Sequence, residues 1–127
     1  AKEHEYDGLI LSTAGLQRLQ LDNLISFEPD PKQFIPAPGQ GLIAIQNRDK
    51  DTHITDLISS ILDQEIHRIG SQYFTLLNGI AFNCEHPFGA YIDQGNLHVF
   101  CDTHEKKFHT FYLGDLENAI RLIKDKT

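Results

Sequence analysis

The distribution of proline constrains the fold of this chain more than any other feature. Four of the five prolines lie within residues 22–41, at Pro29, Pro31, Pro36 and Pro38. Proline holds its own φ angle and lacks the backbone N–H that helices and sheets use. This stretch is therefore predicted to be a connection rather than a regular element, with a short segment before it and a longer one after it.

The segment before the connection has the pattern of a strand followed by a helix. Residues 6–12 are predicted to form a short buried strand and residues 13–21 a helix, and residues 42–46 form a second predicted strand after the connection. Two short isolated strands do not make a sheet, so this part is not expected to fold alone. The chain starts at Ala1 directly before the first strand, which suggests an excised or truncated piece.

The rest of the chain begins with two predicted helices. Thr52 is the expected N-cap of the first, whose apolar residues recur with helical spacing at Ile54, Leu57, Ile58, Ile61 and Leu62. The second is predicted over residues 64–77, with Gly70 as a weak point. The acidic side chains of Asp63 and Glu65 lie two positions apart, on different sides of a helix, which indicates a solvated surface.

Beyond residue 87 the period changes from helical to two. Strands are predicted at 89–92, 97–102 and 106–113, with a hairpin turn at 93–96, and Asp115 is expected to cap a last helix. The predicted fold class is α+β. A C-terminal unit of three antiparallel strands packs against helices, and an arm of strand, helix, hinge and strand precedes it.

Length, charge and cysteine content limit the possible functions. The chain has 127 residues, a net charge of −7 and a pI near 5.3. Such a chain is one small domain or pieces of larger ones, and its charge argues against nucleic acid and against an anionic membrane surface. No apolar run is long enough to span a bilayer. Two cysteines are too few for a disulfide scaffold, so a cytoplasmic protein is expected.

Two motifs resemble those of one enzyme family. Residues 83–91 place Cys84 on a loop with Pro87 three positions later, and Gly89 allows close backbone approach. Residues 36–41, Pro-Ala-Pro-Gly-Gln-Gly, lie upstream. The first motif resembles the loop of porphobilinogen deaminase (hydroxymethylbilane synthase) that carries a dipyrromethane cofactor on cysteine, and the second resembles the hinge of the same family.

The resemblance implies a domain organisation and a reaction. Residues 1–48 would be the end of the family's middle domain, the hinge at 36–41 and a return strand, and residues 49–127 would be the C-terminal cofactor-attachment domain with its leading helices. The family condenses four porphobilinogens into hydroxymethylbilane, a step of tetrapyrrole and heme biosynthesis. The expected partners are porphobilinogen and the tetrapyrrole intermediates of the full-length protein.

Site residues follow from the same resemblance. Cys84 matches the attachment site, where its thiolate would form a thioether to dipyrromethane. Arg18 matches an arginine that meets substrate carboxylates, and Gln40 and Arg48 match positions that line the hinge and cleft. The structural alternatives are a loop cysteine without a role, a solvated helix arginine and hinge glycines that serve the backbone alone.

Departures from the family pattern limit what this chain can do alone. Phe82 and Asn83 replace two glycines, Gln72 and Tyr73 replace a Glu-Arg pair, and Gln46 replaces an acid. The catalytic aspartate belongs to a first domain that no segment matches. No catalytic residue is assigned, and the chain by itself is expected to be inactive. The alternative is a non-catalytic binding or interaction domain derived from the family.

Two further expectations concern metal and assembly. His98, Cys101, His104 and His109 could suggest a zinc set together with Cys84 and His86, but His98 and Cys101 point to opposite faces of a strand. No metal is therefore expected, and Cys101 is predicted to be buried. The unpaired strands at 6–12 and 42–46 are a template for association, so a homodimer is expected, isologous and arm-swapped.

Overall fold

A computed structural model describes residues 6–80, 87–102 and 107–125, which divide into two compact units, Ala1–Asp30 and Pro31–Thr127. The first unit contains helix α1, Thr13–Arg18, and a 3-10 turn, Asp22–Leu24. Ser12 caps α1, since its hydroxyl accepts a hydrogen bond from the Gly15 N–H at 3.3 Å. The helix ends three residues before the predicted boundary, and no residue of α1 is buried.

The two predicted strands of the arm are not strands in the structure. The described residues form one sheet of three strands, and neither 6–12 nor 42–46 belongs to it. Both segments are largely exposed, including Ile10 and Ile43. An extended segment becomes a strand only when a neighbour accepts and donates its backbone hydrogen bonds, and the described chain supplies no such neighbour here.

The second unit begins its regular structure with helix α2, Thr52–Ile61, and helix α3, Gln64–Ile80. The residue that caps α2 is Asp51 rather than Thr52, because its Oδ1 accepts the Ile54 N–H at 3.3 Å. Asp63 performs the same role for α3, with its Oδ1 3.0 Å from the N–H nitrogens of Glu65 and Ile66. Helix α3 continues through Gly70 and past the predicted end.

The sheet consists of β1, Phe88–Asp93, β2, Asn96–Cys101, and β3, Phe108–Tyr112. The strands are antiparallel in the order β1-β2-β3, with Val99 opposite Ala90 on one side and His109 on the other. Gln94 and Gly95 have φ angles of 46° and 78°, the left-handed conformation of a type I′ hairpin. The predicted hairpin and the three-stranded antiparallel sheet are confirmed.

One face of the sheet packs against α3 and the last helix, α4, Leu116–Lys124. The fully buried side chains there are Leu76 of α3, Leu97 and Val99 of β2, and Ile123 of α4. Cys101 is also buried, at 2% exposure, as predicted for a residue on the inner face of β2. His98 lies on the outer face. The α+β fold class of the C-terminal unit is confirmed.

Tyr73 connects helix α3 to strand β1 through a hydrogen bond. Its hydroxyl accepts the Ile92 N–H at 2.9 Å, and the ring is part of the core. Burial raises the pKa of Tyr73 above its ordinary value, because the charged phenolate is poorly solvated there. In the described parts of the chain no helix has the length and apolar character needed to cross a membrane.

Candidate functional site

The segment that resembles a hinge folds as two successive β-turns. The Gln40 N–H donates to the Ala37 carbonyl and the Leu42 N–H donates to the Gly39 carbonyl, both at 3.0 Å. Gly39 and Gly41 have φ angles of +75° and +90°. A type II turn needs a positive φ at its third residue and favours proline at its second. The order Ala-Pro-Gly-Gln therefore meets these requirements locally.

The residues just before these turns lie against the edge of β1. The Ala90 N–H donates to the Pro36 carbonyl at 2.9 Å, so the segment adds one backbone hydrogen bond to the sheet. Gly89 makes this approach possible, because a Cβ there would lie 2.8 Å from the Ile35 carbonyl oxygen. The close approach expected at Gly89 is thus an approach of residues 35 and 36.

Two further contacts hold the segment on either side of the turns. Lys32 Nζ lies 2.6 Å from Asp93 Oδ2 at the far end of β1. Leu42 packs against the core of the sheet, and its Cδ1 lies near Gly70 of α3. Residues 32–42 are therefore anchored to the sheet and helix that flank the cysteine loop in sequence. The sequence indicated a close backbone approach at Gly89. It indicated neither the ion pair between Lys32 and Asp93 nor the backbone hydrogen bond from Ala90 to Pro36.

Gln40 and Arg48 both lie in the second unit, and both are exposed. Gln40 is the last residue of the first turn. The Arg48 side chain is 89% exposed, with its guanidinium 3.1 Å from Asp51 Oδ2, the residue that caps α2. Next to it, Asn47 donates to Thr55 Oγ1 at 2.8 Å. The turn 48–51 is thus fixed to the start of α2, and most of the guanidinium donors face solvent.

The two other predicted site residues lie elsewhere. Arg18 is the last residue of α1 in the first unit and is exposed. Cys84 lies outside the described residues, between α3, which ends at Ile80, and β1, which begins at Phe88. The structure therefore places Gln40 and Arg48 in one unit and gives no geometry that joins them to Arg18 or Cys84.

The zinc set suggested by the sequence lies partly outside the described residues, which exclude Cys84, His86 and His104. Among the described residues, no group of three histidine, cysteine or acidic side chains could hold a metal ion. His98 Nδ1 instead lies 3.1 Å from Thr110 Oγ1 on the outer face of the sheet. Glu65 forms a two-point hydrogen bond with Arg68, which lowers the pKa of the carboxyl and raises the pKa of the guanidinium. Both side chains are solvated, as predicted for Glu65.

Comparison with known proteins gives one consistent result. Residues 1–56 match the family model described as porphobilinogen deaminase, dipyromethane cofactor binding domain. A porphobilinogen deaminase of Blochmanniella pennsylvanica is 48% identical over 61 residues, which are 48% of this chain and 20% of the relative. The chain is related to the porphobilinogen deaminases. The predicted resemblance to this family is thereby confirmed, and the matched range includes the hinge motif at 36–41.

More distant porphobilinogen deaminases match over a longer part of the chain. That of Staphylococcus carnosus is 35% identical over 97 residues, 73% of this chain and 32% of the relative. That of Thermus thermophilus is 38% identical over 87 residues, 68% of this chain and 29% of the relative. The chain spans about a third of the length of these relatives. The matched family model includes Arg18, Gln40 and Arg48, whereas Cys84 lies beyond it.

The described side chains fit a carboxylated cofactor in chemistry but do not enclose one. Arg18 and Arg48 are planar donor forks suited to carboxylates, and Gln40 can donate through its amide. All three are exposed. Binding of a carboxylate by a single exposed arginine is weakened by solvent.

Proposed function

We propose that this chain is part of a porphobilinogen deaminase, the transferase that links four porphobilinogens into hydroxymethylbilane in tetrapyrrole and heme biosynthesis. The match of residues 1–56 to the cofactor-binding family model carries the proposal. The paired turns at 37–42 and the contact of Pro36 with β1 support it, because they give the hinge motif a defined shape against the strand that follows Cys84 in the sequence. A cytoplasmic enzyme fits this role.

Cys84 is proposed to attach dipyrromethane. Its sulfur would form a thioether bond to the methylene carbon of an aminomethylpyrrole as the carbon–nitrogen bond breaks, and the thiol proton would leave with the amine as ammonia, which requires an accessible thiolate. When bound, the dipyrromethane serves as the covalent anchor for the product chain. Arg18, Gln40 and Arg48 are proposed to bind substrate or cofactor carboxylates through their N–H donors.

The chain by itself is proposed to be inactive toward porphobilinogen. None of its residues is assigned as the general acid or base of the reaction. Proton transfer by a positioned side chain contributes about 10²–10⁴-fold to such rates, so its loss removes turnover. Porphobilinogen consumption above the uncatalysed background by the chain alone would show that one of its own carboxylates does this work.

A second candidate function is a non-catalytic binding domain derived from the family. Its support is the position of Tyr73, which stands where the family pattern has an arginine. The Tyr73 ring is part of the core and its hydroxyl bonds the Ile92 N–H. This position has a structural role here, and its phenol cannot replace the charge of a guanidinium.

Intact mass of the protein that contains this sequence, purified from its own cells, separates the two functions. The deaminase proposal predicts the mass increment of one dipyrromethane, lost in Cys84→Ser and retained in the matched control Cys101→Ser. In the 127-residue chain prepared without the cofactor, labelling with a thiol reagent should be faster at Cys84 than at Cys101, because Cys101 is 2% exposed. An unmodified mass of the cellular protein, or equal labelling rates in the cofactor-free chain, supports the binding domain instead.

A further inference from the structure

The outer edge of strand β1 is occupied by two other parts of the second unit. The Ala90 N–H donates to the Pro36 carbonyl of the connection, and the Ile92 N–H donates to the Tyr73 hydroxyl of α3, both at 2.9 Å. Alternate residues of a strand direct their backbone groups to the same edge, so these two N–H groups lie side by side. The connection and α3 are therefore attached to β1 at neighbouring but separate points.

An ion pair fixes an earlier part of the connection at the end of β1. Lys32 Nζ lies 2.6 Å from Asp93 Oδ2, and the two side chains are 47% and 24% exposed. Residues 22–41 contain a single cation, Lys32, and Asp93 is the one charged residue in the sequence of β1. The other charged residues of the connection are acids, which Asp93 repels. Lys32 alone can therefore attract the connection to this end of the strand by its charge.

Gln40 lies between two fixed points of the same segment. Before it, the Pro36 carbonyl is bound to β1, where Gly89 leaves room for the backbone of residues 35 and 36. After it, Leu42 packs against the core of the sheet. The two β-turns at 37–42 join these points without a free residue between them. The location of Gln40 therefore depends on how firmly the connection is held on β1.

We propose that Lys32 is a positioning residue of the deaminase reaction, a role that rests on the function proposed above. Its ion pair with Asp93 holds the connection on β1, and the hinge turns with Gln40 follow from that attachment. Strand β1 begins four residues after Cys84 in the sequence. The amide proposed to bind a substrate carboxylate and the strand that follows the attachment cysteine are thereby kept in one rigid arrangement.

Amide hydrogen exchange in the 127-residue chain tests the attachment. Lys32→Met keeps an apolar side chain of similar length and removes the charge. Because a partly exposed ion pair is worth little, the Ala90 amide should exchange about two- to fivefold faster in this variant than in the wild type. The Ile92 amide lies on the same edge but is bound by Tyr73, so its exchange should not change.

Three comparisons separate the ion pair from other effects of the substitution. The charge-reversed double variant Lys32→Asp with Asp93→Lys should restore Ala90 exchange to within about twofold of the wild type. Lys107→Met, which removes the ion pair with Asp102 elsewhere on the sheet, is the matched control and should leave Ala90 unchanged. Added salt should narrow the difference between wild type and Lys32→Met, since ions screen the pair.

Steady-state kinetics of the protein that contains this sequence tests the positioning role. Lys32→Met should raise the KM for porphobilinogen about two- to fivefold and leave kcat nearly unchanged, because a carboxylate contact is made in the ground state and the transition state alike. Gln40→Ala should raise KM further. Adding Lys32→Met to Gln40→Ala should then have no additional effect, since Lys32 acts through Gln40. An ion pair with a merely structural role would give independent, additive losses.

The outcomes distinguish a failure of this proposal from a failure of the proposed function. Unchanged Ala90 exchange in Lys32→Met would overturn the positioning role, and so would additive effects of Lys32→Met and Gln40→Ala on KM in an active enzyme. Absence of porphobilinogen turnover by the wild-type protein that contains this sequence would instead refute the deaminase function, and the role of Lys32 in that reaction with it.

Discussion

Helices α2 and α4 have similar amphipathic sequences but different surroundings. Ala119 and Ile123 of α4 are both 1% exposed beneath the sheet. No residue of α2 is buried, and Ile61 on its apolar side is 73% exposed. The difference lies in what packs against each helix. Helix α4 has α3 and the sheet beside its apolar side, whereas the described chain supplies no cover for α2.

This comparison shows that an apolar stripe and its burial have different origins. The stripe of α2 is a local property of its sequence spacing. Its burial needs residues far away in the chain, and those are present only for the elements around the sheet. Most helix stability in proteins comes from packing of the apolar side, so α4 and α2 are expected to contribute very differently to the free energy of unfolding.

The largest effect is expected when a buried side chain of α4 is truncated. Ile123→Ala should lower the free energy of unfolding by about 2–5 kcal/mol, because it opens a cavity beneath the sheet. The matched change Ile61→Ala on α2 should alter it by no more than about 0.5 kcal/mol. Urea unfolding followed by circular dichroism measures both. Equal losses at the two positions would mean that α2 is as well packed as α4.

Gly89→Ala tests whether residues 35 and 36 belong to the buried part of the molecule. The new Cβ would meet the Ile35 and Pro36 carbonyl oxygens at 2.8 and 3.1 Å, and backbone cannot move aside easily. We expect a loss of about 1–3 kcal/mol and faster amide exchange at Ala90. Gly8→Ala, with open space around it, is the control. Unchanged exchange at Ala90 would contradict this docking.

Two glycines of α3 allow tightly and loosely packed positions to be compared within one helix. A Cβ at Gly79 would lie 2.6 Å from Ile120 Cδ1 and 2.9 Å from its Cγ2, whereas the nearest atom to a Cβ at Gly70 is Leu42 Cδ1 at 3.7 Å. Gly79→Ala should lower the free energy of unfolding by about 1 kcal/mol, because the clash with Ile120 outweighs the gain in helix propensity. Gly70→Ala should raise the free energy of unfolding by up to about 1 kcal/mol. The two substitutions should therefore shift the midpoint of thermal unfolding in opposite directions. Shifts of the same sign would show that the α3–α4 contact is not close.

Tyr73→Phe is expected to have the smallest effect. It leaves the Ile92 N–H without its acceptor and should cost about 1 kcal/mol, whereas Tyr112→Phe at an exposed site should be neutral. Because the pKa of Tyr73 is raised in the folded state, its protonated form stabilises the fold below pH about 10. This contribution is lost as the pH rises further. Urea unfolding at pH 8 and at pH 10.5 tests this. The difference in the free energy of unfolding between wild type and Tyr73→Phe should be smaller at pH 10.5.

Local features of the fold were predictable from the sequence alone. The hairpin follows from a glycine in a polar four-residue turn, and the strands follow from alternating apolar residues. The paired turns of the hinge depend on Pro38, Gly39 and Gly41, whose backbone preferences act within four residues. The relation to porphobilinogen deaminases was likewise recognisable from two short motifs.

The tertiary structure decided everything that depends on distant neighbours. The apolar residues 6–12 and 42–46 have the composition of strands, but no described segment pairs with them, so they remain irregular. The Pro36 carbonyl reaches Ala90 and Lys32 reaches Asp93 because the chain folds back across more than fifty residues. The sequence by itself determined backbone preferences and apolar periodicity, since these act locally. Burial and pairing depend on which distant residues the fold brings together.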